Sequence, residues 1–262
     1  MFAVELIVGA SVPLVAAHDG PAGSAQLIIG DRIVRLVSLD GPRSDPLLAR
    51  VAANIGAAID EVTGFWGINW SRDISVAAAG SDEQFRAAVG GGTSAQWADI
   101  AAVTVVERVD PVRRVLVGER IVLAPGAANM SDAALRIVLA HELFHYATRL
   151  DTAQDAPRWL TEGVADFVAR PQTPVPADVV PNARAIPLDA ELDTPGPQRS
   201  LAYDRAWWFA RFIADTYGPA KLRDLYMATC GVGHGDLLTA ARDILGTDSA
   251  HLITRWQQWL VR

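Results

Sequence analysis

His141, Glu142 and His145 stand at the spacing that lets a single α-helix do metal chemistry. Residues four apart lie one turn above each other on the same helix face, so both imidazoles can reach one ion. Glu142 is turned by about 100° around that helix, close to the metal without being forced to bind it, which is where a general base belongs. A catalytic zinc usually takes three protein ligands and keeps an open water position, so a third ligand is needed. Glu162, within Trp159-Leu160-Thr161-Glu162-Gly163-Val164-Ala165-Asp166, is the candidate. Asp166 lies one turn further on the same face, where it can accept the outer N–H of a metal-bound histidine and fix its tautomer.

The chain's own His and Glu frequencies predict the His-Glu-x-x-His pattern by chance in roughly 0.3 % of such chains, so its context has to carry the reading. From Ser131 to Leu150 the sequence has a capping serine, an acidic first turn at Asp132, and Leu135, Val138, Leu139 and Leu143 at helical spacing. The apolar approach from Leu135 to Ala140, with Phe144 and Tyr146 beside the histidines, predicts a mostly buried helix. Unpaired imidazoles and a carboxylate would be costly there, and a metal offsets that cost. A second helix restarts near Pro157, a residue suited to a first helical turn. Trp159, Leu160, Val164, Phe167 and Val168 make it too apolar for Glu162 and Asp166 to be read as an ordinary solvated face.

These residues resemble the gluzincin metallopeptidases, the thermolysin-like and aminopeptidase-like clan in which a second helix supplies a glutamate ligand. The match runs through His141, Glu142, His145, Glu162 and Asp166, the last two forming the clan's Glu-x-x-x-Asp pair. Trp159 to Ala165 is similar to the Trp-Leu-x-Glu-Gly-x-Ala segment of small bacterial peptidase domains. The resemblance covers about Val138 to Gly218, with a His145-to-Glu162 interval slightly shorter than in the larger enzymes. It implies one Zn2+ per chain, a peptide or protein substrate, and hydrolysis by water whose pKa the metal brings to about 7. Glu142 would take the proton from that water and deliver it to the leaving amine. Tyr203 looks like the tyrosine that donates to the oxyanion in aminopeptidase-like members, although Arg205-Ala206 stands where they carry Lys-Gly. The alternative for Tyr203 is a place in an aromatic cluster with Trp207. No Gly-x-Met-Glu-Asn segment is present, which favours endopeptidase action. The competing reading is a catalytically silent zinc-containing domain of the same fold that binds a peptide or protein.

Nothing else in the chain competes for a catalytic role. Cys230 is the sole cysteine, His18, His234 and His251 have no evident partners, and Gly231 to Gly235 reads as a turn between helices. A formal charge of −7 over 262 residues argues against a nucleic-acid partner, because phosphate binding needs a positive surface. Half the residues are apolar, enough for a substantial core.

The expected fold is α+β, with a small, mostly antiparallel sheet and helices in an N-terminal lobe, the metal helix at the junction, and a helical C-terminal lobe. Residues 1–25 form an apolar N-terminal segment, and 26–262 form the metallopeptidase domain, divided into lobes 26–150 and 151–262. The stretch Phe2 to Ala17 ends in Val15-Ala16-Ala17, compatible with signal cleavage, yet it lacks a basic start and carries Glu5. It reads as a signal, a pro-segment or a first strand, and is too interrupted for a clear membrane span. The resemblance favours a secreted or envelope location over a cytoplasmic one, and the sequence sets no oligomeric state. Leu27 to Leu39 reads as a hairpin turning at Gly30-Asp31, Pro46 to Phe65 as a helix, and Ile74 to Ala79 as a buried strand. Ser81-Asp82 starts a helix through Val89, and strands follow at Val103 to Val109 and Val115 to Leu123. Arg120 to Ala124 is the segment expected at the sheet edge, where gluzincins add a peptide strand, an interior strand being the alternative. Seven prolines between Pro171 and Ser200 predict an irregular crossing, as a cleft wall or a packed structural segment. Helices are expected from Leu201 to Gly218 and near Pro219 to Thr229, Asp236 to Leu245 and Asp248 to Val261.

Overall fold

The computed structural model describes residues 7–8, 24–97, 100–110, 113–194 and 196–262. The chain divides into two compact units, one ending at Leu150 and one beginning at Asp151, and its elements make an α+β protein, the class expected.

In the first unit, strand β1 (Ile7–Val8) precedes a hairpin of β2 (Ser24–Ile29) and β3 (Arg32–Ser38). The hairpin turns at Gly30-Asp31 as expected, with Gly30 in the left-handed region at φ 60° that such short turns require. Helix α1 (Asp45–Trp66) carries the chain from β3 to β4 (Asp73–Ala78), and a helical crossover of this kind lets neighbouring strands pair in parallel. Ser81 caps α2 (Asp82–Ala88), its hydroxyl accepting from Gln84 N, and the single turn α3 (Ser94–Trp97) leads to β5 (Ala102–Val106). The expected strand from Val103 to Val109 breaks after Val106. Its remainder, β6 (Arg108–Asp110), forms a separate ribbon with β7 (Val115–Val117), after which β8 (Arg120–Leu123) re-enters the main sheet. Helix α4 (Asp132–Thr148) completes the unit.

The main sheet has the order β1-β5-β8-β4-β3-β2. Pairings β1-β5, β3-β4 and β4-β8 are parallel, while β2-β3 and β5-β8 are antiparallel. The sheet is therefore mixed, because the crossovers from β3 to β4 and from β4 to β8 bring those strands back in the same direction. The edge expected at Arg120 to Ala124 is corrected: β8 is an interior strand, paired with β5 on one side and β4 on the other. Ile121, Val122 and Leu123 are fully buried, and such an unbroken apolar run belongs to a strand covered on both faces. The signal, pro-segment or strand readings of residues 1–17 lie outside the described residues except at Ile7–Val8, which pair with Val105–Val106. Among the described residues no helix is long and apolar enough to cross a membrane.

The second unit is helical: α5 (Arg158–Ala169), α6 (Val180–Ala183), α7 (Asp189–Leu192), α8 (Pro197–Tyr217), α9 (Pro219–Cys230), α10 (Leu237–Ala240), a π turn at Ala241–Leu245, and α11 (Ser249–Trp259). Helix α8 begins a turn earlier than expected because Pro197 sits in its first turn, where a missing N–H costs nothing. Its core is aromatic: Phe209 meets Trp159, Phe212 and Trp256 edge-on, and Trp256 stacks on Trp259. The proline-rich crossing holds the short helices α6 and α7 and is fastened down along its length. Arg205 donates to Ala185 O and pairs with Glu191, Arg211 donates to Thr173 O, and the Trp256 indole N–H donates to Arg184 O at 3.1 Å.

Helices α5 and α8 approach each other so closely at Gly163 that a Cβ there would lie 2.4 Å from the Ala206 carbonyl oxygen. Backbone cannot yield as a side chain can, so Gly163→Ala forces the helices apart. Overpacking of this kind costs about 1–3 kcal/mol, against about 1 kcal/mol gained in helix propensity. The expected outcome is a melting temperature lowered by several degrees, read by calorimetry. An unchanged or higher value would contradict the close approach.

Candidate metal centre

Helix α4 carries His141, Glu142 and His145, and three sets of contacts fix it within the first unit. Ser131 caps its start, the hydroxyl accepting from Ala134 N at 3.2 Å. Arg50 of α1 clamps the same end, pairing with Asp132 at 2.8 Å while its Nη1 and Nη2 donate to the carbonyls of Ala128 and Met130. Further along, Phe144 packs against Phe65 and Trp66 of α1, and the Tyr146 phenol donates to Asp73 O at 3.0 Å. Every residue from Val138 to Thr148 is buried, as the apolar sequence around the histidines predicts.

Helix α5 carries Glu162 and Asp166. Pro157 precedes it and offers no capping side chain, so the first N–H groups of the helix need another partner. Asp189 of α7 supplies it, one carboxylate oxygen accepting from Arg158 N at 3.1 Å and the other from Trp159 N at 2.8 Å. A carboxylate at this end also opposes the positive pole of the helix. The far end is held by Arg170, which pairs with Asp166 and Asp204 at 3.0 Å each and lies over the Trp207 ring at 3.8 Å. Burial raises the Asp204 carboxyl above its ordinary value, and the Arg170 guanidinium opposes that rise.

His141, His145 and Glu162 form a group that could hold a metal ion, with one ligand atom from each lying within 4.8 Å of the others. The two Nε2 atoms are 3.0 Å apart. Nitrogens bound tetrahedrally at 2.0–2.1 Å from zinc stand roughly 3.3–3.4 Å apart, so the histidine pair needs a shift of only a few tenths of an ångström. Exposure is 1 % for His141, 2 % for His145 and 0 % for Glu162. Two imidazoles and a carboxylate are a donor set that divalent transition metals such as zinc accept, and a cation bound there would neutralise a buried carboxylate.

Glu142 is also fully buried, and its carboxylate Oε2 accepts from the Thr104 hydroxyl at 2.5 Å. Asp166 lies on the Glu162 face of α5 with Arg170 on its Oδ2. Tyr203 is buried on α8, one turn before Ala206 and hence one turn before the close contact with Gly163. His234 lies in the turn between α9 and α10 and faces Asp155 at 3.4 Å. Burial pushes the Cys230 thiol above its ordinary value, the direction that disfavours the reactive thiolate.

Two residues escaped the sequence reading. Thr104 is the single hydroxyl in the strand Ala-Val-Thr-Val-Val, a faint signal that something polar waits on one face of the sheet. Asp189 gave no signal at all, because a cap supplied from thirty residues away has no local pattern. No family model matches this chain, and no curated protein does.

If the group holds zinc, Glu162→Ala is expected to weaken that binding by at least the roughly 100-fold that loss of an outer-shell partner can cost, while α4 remains folded. Competition against a chromophoric chelator measures this, and unchanged affinity would remove Glu162 from the ligand set.

Proposed function

We propose that this chain is a zinc-dependent peptidase of the gluzincin type, acting as an endopeptidase. His141, His145 and Glu162 hold the ion, and zinc bound there supplies the Lewis acidity that makes water reactive near neutral pH. Glu142 takes the proton released as water attacks the peptide carbonyl and passes it to the departing amine. Asp166, oriented by Arg170, accepts the outer N–H of a ligand histidine, and Tyr203 donates to the oxyanion, a contribution on the order of 3 kcal/mol for one such donor.

Glu142 is the observation that carries the reading. A zinc ion with a purely structural role needs its ligands and nothing more, whereas here a second carboxylate is buried on the ligand helix, directly beside His141. Burying it costs free energy, and a role as general base gives that cost a purpose. The peptide substrate rests on the resemblance of the His141-to-Ala165 residues to the gluzincins, and the endopeptidase mode on the missing Gly-x-Met-Glu-Asn segment.

The test compares the purified chain with Glu142→Gln for zinc content and for cleavage of casein. One zinc per chain in both proteins, with turnover reduced about 100-fold or more only in the variant, is the expected outcome. Zinc in both without cleavage by either would replace the peptidase with a silent zinc-containing binding domain. Absence of bound zinc after reconstitution would contradict both.

A further inference from the structure

We infer that Thr104 is a positioning residue for Glu142, holding the carboxylate in the orientation its chemistry requires. The inference rests on the assignment of Glu142 as general base and extends it to the sheet beneath the helix. In β5 the side chains alternate between the two faces of the sheet. Val103 and Val105 join Phe85, Val89, Trp97, Ile100 and Val122 in one apolar cluster. Thr104 points to the opposite face, where its hydroxyl meets Glu142 of α4.

Thr104 is 1 % exposed, and all five residues of β5 are buried. Valine has the same shape, favours strands as strongly, and would bring no buried hydroxyl to satisfy. The hydroxyl therefore has to be explained by what it binds. Two acceptors lie within reach: the Glu142 carboxylate Oε2 at 2.5 Å and the Glu142 carbonyl oxygen at 3.0 Å. One O–H proton serves one of them at a time, and the shorter contact to a charged acceptor is the stronger.

Geometry explains why a threonine suits this task. A β-branched side chain is stiff about χ1, so the strand backbone aims the hydroxyl with little freedom left. Glutamate has three rotatable bonds, and a hydrogen bond to its carboxylate narrows the orientations open to it. Engaging Oε2 restrains the carboxylate and thereby limits where its other oxygen can lie. The strand, itself locked antiparallel to β8 with Thr104 opposite Ile121, thus sets the position of a group on the helix.

The experiment uses Thr104→Val, which keeps the shape and removes the hydroxyl, and Thr104→Ser, which keeps the hydroxyl. With fluorescent casein as substrate, Thr104→Val is expected to lose about 10- to 100-fold in kcat with KM changed less than about twofold. Zinc content should stay at one per chain in both variants, and Thr104→Ser should recover most of the loss. Independently of turnover, the metal-free protein should show an exchange-protected hydroxyl proton downfield of the amide region, present in wild type and Thr104→Ser and absent in Thr104→Val. Unchanged kcat in Thr104→Val, equal losses in both variants, a loss that follows the melting temperature, or no such proton in wild type would each overturn the positioning role. Full activity in Glu142→Gln would instead overturn the assignment on which it rests.

Discussion

A carboxylate sealed from water costs several kcal/mol unless an opposite charge or strong hydrogen bonds stand beside it. Glu162 is fully buried, and the two imidazoles grouped with it are nearly so. A divalent cation bound to the group would offset the cost for all three side chains at once. An ion would bind more tightly to side chains already held in place, so what fixes the helices carrying them bears directly on the site. Much of the packing in each unit can be understood in those terms.

In the first unit, rigidity comes from surrounding α4 with contacts of different kinds. An arginine clamp and a serine cap hold one end, aromatic rings of α1 press on its flank, and a tyrosine ties it to β4. In the second unit α5 is short, and its ends matter more than its length. A distant aspartate satisfies its first N–H groups, an arginine bridge ties its last turn to α8, and Gly163 lets the α8 backbone come within contact of its own. The proline-rich crossing belongs to this scheme, because it delivers Asp189 to the start of α5. Its lack of long regular structure reflects proline's missing donor, and its side-chain anchors hold it in place.

The parts of this arrangement that were legible in the sequence are those encoded locally. Four-residue spacing placed His141 above His145 and Glu162 above Asp166. Ser131 and Ser81 marked helix starts, and Gly30-Asp31 marked a hairpin, because caps and tight turns are decided within a few residues. Sheet order was not legible. The apolar run Ile121-Val122-Leu123 points to an interior strand, but its neighbours are chosen by crossovers that local pattern does not encode. The same holds for Asp189 and Thr104, which act across 30 and 38 residues, as the pairings with Trp159 and Glu142 show. Side chains that position a site are harder to read than its ligands, since geometry alone selects them.

The most direct measurement is X-ray absorption at the zinc edge of the reconstituted protein, compared with its His145→Ala variant. The expected spectrum has two imidazole scatterers with the remaining light-atom ligands at about 2.0–2.1 Å, and one imidazole in the variant. A shell without imidazole, or one unchanged by the substitution, would mean that these three residues do not form the metal centre.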